Sequence, residues 1–109
     1  MLIDFSKIEE VTVKNFKDGE KEVNVRTFSD DTNRIMKIKM IPGASIGMHT
    51  HETNCEVIYV IEGEGTMLYE GETEILTPGM SHYCPKGCSH SFMNKSDKDL
   101  VFFAVVPQQ

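Results

Sequence analysis

Hydrophobic and polar residues alternate along much of this chain with a period of two, the spacing of strands whose two faces differ in solvation. Residues 34–41 show it most clearly, with Met36, Ile38 and Met40 on one face and Lys37 and Lys39 on the other. Residues 22–28 set Val23, Val25 and Thr27 against Asn24, Arg26 and Phe28. Val11-Thr12-Val13 reads as a short strand after an amino-terminal arm, and Asp18-Gly19 tolerates the positive backbone angles that close a hairpin behind it. Residues 56–61 carry the β-branched run Val57-Ile58-Tyr59-Val60-Ile61, which suits a well-buried strand. Residues 66–69 and 73–76 flank the hairpin signal Glu70-Gly71-Glu72, and residues 81–84, 89–93 and 100–106 complete the series. No window of eleven residues carries helical periodicity, and turn signals recur every eight to twelve residues. The pattern predicts an all-β sandwich or barrel of short antiparallel strands.

Composition narrows the class of protein. A chain of 109 residues suffices for one domain with one core. It has no apolar run approaching the roughly 20 residues that span a bilayer, and its first residues lack a charged-then-apolar signal pattern, so a cytoplasmic protein is expected. A net charge of -6 and scattered basic residues exclude nucleic acid and anionic membrane as expected partners. Cys55, Cys84 and Cys88 form an odd set with no Cys-x-x-Cys pair, which predicts free thiols. Cys84 and Cys88 flank Pro85-Lys86-Gly87 close to His90 in sequence, so a cysteine-histidine zinc site is a minor alternative.

The chemistry concentrates in residues 43–94. The order is Gly43, five residues, His49, Thr50, His51, four residues, Glu56, six residues, Gly63. It continues with Gly79, five residues, Pro85, Lys86, Gly87, two residues, His90, three residues, Asn94. On a strand, side chains at i and i+2 share a face, so His49 and His51 point one way and Thr50 the other. Glu56 lies an odd step beyond His51 and can join that face only if the polar segment 52–55 bends or bulges. His90 must arrive from another strand. Three imidazoles and a carboxylate make a mixed nitrogen-oxygen shell suited to divalent iron, manganese, cobalt, nickel or zinc, and ill-suited to magnesium or calcium.

The two spaced sets resemble the two motifs of the cupin family, with every signature position filled over residues 43–63 and 79–94. The resemblance implies a jelly-roll barrel, a double-stranded β-helix, as a single domain over residues 1–109. It also implies a metal held by His49, His51, Glu56 and His90, and pairing into a homodimer, for which exposed strand edges give a physical motive. If the barrel closes, parity turns Met36, Ile38, Met40, Ile58, Val60, Phe92, Phe102 and Ala104 inward. Of these, Met36, Ile38, Met40, Phe92 and Phe102 are the expected substrate pocket, and Tyr59 faces out. Four protein ligands would saturate tetrahedral zinc but leave two positions open on an octahedral ion. The resemblance implies a metal-dependent enzyme of oxygenase type, acting on a small organic molecule, with Glu56 able to leave the metal and act as a base. A non-catalytic module for a metal or small ligand and an isomerase or lyase are the alternatives. Arg34, at a strand mouth, is the one candidate inward cation, which disfavours a sugar phosphate. His82 lies outside both motifs and is expected beside the ligands or at the surface.

Overall fold

The computed structural model describes residues 1–109 as ten strands in two antiparallel sheets. They are β1 (Val11–Lys14), β2 (Glu22–Ser29), β3 (Asn33–Met40), β4 (Ser45–Thr50), β5 (Glu56–Glu62), β6 (Gly65–Tyr69), β7 (Glu72–Leu76), β8 (Ser81–Cys84), β9 (Ser89–Met93) and β10 (Leu100–Pro107). One sheet runs β1-β2-β3-β10-β5-β8 and the other β4-β9-β6-β7, the jelly-roll arrangement the resemblance implies. The apolar strand β10 is central, paired with β3 on one side and β5 on the other, so its alternate residues are buried by pairing as well as by the core. A short 3₁₀ turn at Phe5–Lys7 is tied down by the Arg26 guanidinium, which donates to the carbonyls of Phe5 and Ile8. No helix is long and apolar enough to cross a membrane.

Sixteen buried apolar residues fill the space between the sheets. Every residue that parity turned inward is among them: Met36, Ile38, Met40, Ile58, Val60, Phe92, Phe102 and Ala104. Phe92 and Phe102 meet edge to face across the sandwich, with ring centroids 5.0 Å apart. Asn94 is the polar exception. Its amide donates to the carbonyls of Met40 (2.9 Å) and Lys98 (2.8 Å), and its oxygen accepts from Ser96, so the buried group is fully satisfied where β9 ends.

Two expectations change. β5 was expected to be well buried, but only its inner face is; Val57, Tyr59 and Ile61 are 39 to 47% exposed. The reason is that a two-sheet sandwich covers each strand on one side only, and hydrophobicity alone cannot distinguish one covered face from two. The Asp18-Gly19 turn also differs. Asp18 takes the positive φ (62°), while Gly19 is extended (φ -79°). Gly19 is needed for proximity: a Cβ there would lie 2.0 Å from the Ser45 carbonyl oxygen. The segment around the 3₁₀ turn Phe16–Asp18 is thus a strap laid directly on β4.

Candidate metal centre

The strap and two local irregularities build the site. Along β4, Ile46 pairs with Phe92 and His49 with His90, so three steps on β4 match two on β9. This bulge at Gly47 and Met48 leaves Met48 outside and turns both Ile46 and His49 inward, which strict alternation would forbid. The second irregularity is the polar segment after β4, where the chain leaves the sheet before Glu56 opens β5 on its inner face. The odd step from His51 to Glu56 is absorbed there, as the spacing requires. Thr50 faces away from the ligands and hydrogen-bonds Ser89 (2.6 Å).

His49, His51, Glu56 and His90 converge, with one ligand atom from each within 4.8 Å of the others. His90 is central: its Nε2 lies 2.9 Å from Nε2 of His51, 3.1 Å from Nε2 of His49 and 3.0 Å from Oε1 of Glu56. Glu56 Oε1 also lies 3.2 Å from His51 Nε2. The opposite nitrogens are all occupied. His49 Nδ1 donates to the Gly47 carbonyl (2.7 Å), His51 Nδ1 donates to the Asn54 side-chain oxygen, and His90 Nδ1 meets His82 Nε2 (3.1 Å). With the Nδ1 protons so committed, three Nε2 lone pairs and a carboxylate face one another, an arrangement that only a positive charge among them stabilises. Either added protons or a metal cation can supply it, and the donor set fits a divalent transition metal.

Burial alone would raise the carboxyl of Glu56, but hydrogen bonds from His51 and His90 outweigh it and hold the group at about 2. Hydrogen bonding to Glu56 likewise raises His51, against its own desolvation, whereas burial lowers His49. The proton that Glu56 helps His51 retain must leave before Nε2 can bind a metal. Apparent metal affinity should therefore weaken as pH falls, the proton on His51 competing for Nε2 from above the ordinary histidine value of about 6.5, while Glu56 is still ionised. Apparent cobalt affinity by chelator competition at stepped pH, with circular dichroism to follow folding, checks this; an affinity unchanged down to pH 5 would contradict it.

The cluster forms the floor of a cavity of about 260 Å³. Met36, Ile38 and Phe92 line it as expected, joined by Ile46, Ile58 and Val106. Met40 and Phe102, expected with them, lie fully buried in the core and are absent from the lining, because parity identifies the inward face but not depth along the barrel. Arg34 stands at the mouth, and the strap adds Phe16 and Lys17 to the same wall. No periodic signal in the sequence could have placed Lys17 over the site, since a close main-chain approach put it there. His82 is buried beside His90 and bonded to Glu74. Cys84 lies near both histidines, and burial pushes its thiol up to about 12.

Comparisons with known proteins agree with this geometry. The profile of the cupin domain matches residues 36–106. An oxalate-binding protein of Thermotoga maritima is 29% identical over 112 aligned positions, which cover 97% of this chain and 93% of that protein. The crystal structure of a predicted oxalate decarboxylase from Thermotoga maritima is also 29% identical and superposes over 100% of both chains with a TM-score of 0.93. A polyketide cyclase of Streptomyces resistomycificus, 24% identical, shares the fold with a TM-score of 0.82 over 100% of this chain and 80% of its own. By its two motifs, its jelly roll and a profile match over most of its length, the chain belongs to the cupin family.

Proposed function

We propose that this chain is a metal-dependent cupin that holds one divalent transition metal on His49, His51, Glu56 and His90 and binds a small chelating organic acid of the oxalate class beside it. The observation that carries the reading is the set of three Nε2 atoms and a carboxylate oxygen turned toward one point at the floor of a cavity. An octahedral iron, manganese, nickel or cobalt ion would keep two positions free, the number a dicarboxylate fills with one oxygen from each end. Zinc bound tetrahedrally would keep none.

Charge supports the ligand class. A divalent ion with the Glu56 carboxylate carries about one net positive charge, and Lys17 and Arg34 at the mouth add two more against a dianion. The relative named for oxalate binding supports the same choice. When bound, the metal supplies Lewis acidity and, if redox-active, a place for dioxygen chemistry. The chain's own part is to orient the acid with Lys17 and Arg34 and to keep water off with the wall of Met36, Ile38, Ile46, Ile58 and Phe92. That apolar wall favours a second reading, in which the bound acid is turned over by a lyase or an oxygenase reaction instead of simply held.

The test begins with elemental analysis of untagged protein purified without added metal, followed by calorimetric titration of oxalate into metal-free and manganese-loaded samples. One metal per chain and oxalate binding only when loaded is the expected result. Equal binding with and without metal would remove the proposal. Formate and carbon dioxide in equal amounts would identify a lyase, oxygen uptake an oxygenase, and neither a binding module.

A further inference from the structure

We propose that Glu74 and His82 are positioning residues for the metal centre: Glu74 fixes the tautomer of His82, and His82 fixes the ring and the proton of His90. The inference rests on the metal reading above, and the argument follows protons from the surface inward. An ionised Glu74 carboxylate has none to give, so His82 Nδ1, 2.7 Å from its Oε1, must be the donor. Neutral His82 then carries its lone pair at Nε2. That nitrogen lies 3.1 Å from His90 Nδ1, which must in turn donate. Once any second proton has left, as metal binding requires, His90 has its lone pair at Nε2, the atom that faces His49, His51 and Glu56. Each link dictates the next.

The placement of the pair holds this order. Glu74 comes from β7 and His90 from β9 in the four-stranded sheet, while His82 comes from β8 at the edge of the other, so the chain of bonds crosses between the two sheets. The His82 side chain is 1% exposed, and its ring lies between His90, stacked at 5.2 Å, and Tyr69, edge-on at 5.2 Å. Glu74 is 41% exposed, so its charge stays solvated while its oxygen reaches a buried ring. The other two ligand imidazoles donate to an uncharged carbonyl and an uncharged amide. Only His90 donates to an imidazole backed by a carboxylate, the partner that fixes its ring and its tautomer.

Long-range ¹H–¹⁵N spectra of the metal-free protein read the imidazole tautomers directly, and cobalt affinity by chelator competition reads the consequence. Wild type should show His90 protonated at Nδ1. His82→Leu should give a mixture of His90 tautomers and a cobalt affinity lower by about 10- to 100-fold, the usual loss when a partner of a ligating histidine is removed. His82→Gln, whose side-chain oxygen can accept the same proton, should recover most of it. Glu74→Gln, at a solvated position where folding is not at stake, should show a loss at the lower end of that range. Unchanged tautomer and affinity in His82→Leu and Glu74→Gln would overturn the proposal. So would a second metal per chain that disappears in Cys84→Ala, since His82 and His90 would then be ligands of that ion together with Cys84. If wild type takes up no cobalt, the metal reading fails, and the tautomer spectra still decide whether His82 orders His90.

Discussion

His90→Ala should abolish stoichiometric metal binding while leaving a folded barrel. His90 Nε2 is within 3.1 Å of both other imidazoles and of the Glu56 carboxylate, so its loss removes the donor at the centre of the cluster. Loss of a mere partner of a ligating histidine costs about 10- to 100-fold in metal affinity, and loss of the ligand itself should cost more. The variant should also lose its thermal response to metal: a site saturated at a hundred times its dissociation constant stabilises a fold by about 2.7 kcal/mol, and that increment disappears with the site. The metal-free variant should still fold, because none of the four ligands belongs to the sixteen-residue apolar core. Melting curves with and without cobalt, together with elemental analysis, make the comparison. Full metal content in both His49→Ala and His90→Ala would sink the assignment.

Gly47→Ala should be the most damaging small substitution in the strap region. A Cβ at Gly47 would lie 1.8 Å from the Lys17 carbonyl oxygen and 2.8 Å from its carbon, both main-chain atoms that no rotamer change can move aside. Relief requires the Phe16–Asp18 turn to lift from β4, at an expected cost of about 3 kcal/mol. In a domain of this size that lowers the melting temperature by roughly 10 to 20 °C. Because Phe16 and Lys17 ride on the strap and line the cavity, acid binding should weaken while metal content stays at one per chain. Gly71→Ala is the control: nothing lies within 4 Å of its new Cβ, and its positive φ alone should cost about 1 kcal/mol. If the two variants melt together, the strap does not press on β4 as described.

The strands were legible because their signal is local. β3 shows why: one lysine-methionine alternation identified its buried face, and Met36, Ile38 and Met40 are all in the core. The convergence of His49, His51, Glu56 and His90 was legible for a related reason, since two histidines at i and i+2 share a face whatever the tertiary fold. Where reading failed, the missing fact was always a contact between segments distant in sequence. Parity could not separate Phe102, deep in the core, from Phe92 on the cavity wall. It could not show that a bulge would turn His49 inward beside Ile46.

Local chemistry was therefore enough for the strand order of the chain, its turns and the identity of the residues brought to the site. The tertiary fold alone decided three further things: that Lys17 hangs over the cavity, that Glu74 and His82 stand behind His90, and that every ligand histidine presents Nε2. Each depends on pairings across about 8 to 41 positions of sequence. Hydrophobic periodicity carries only each strand's own preference between two faces, so it holds no record of which distant backbone or imidazole will lie opposite.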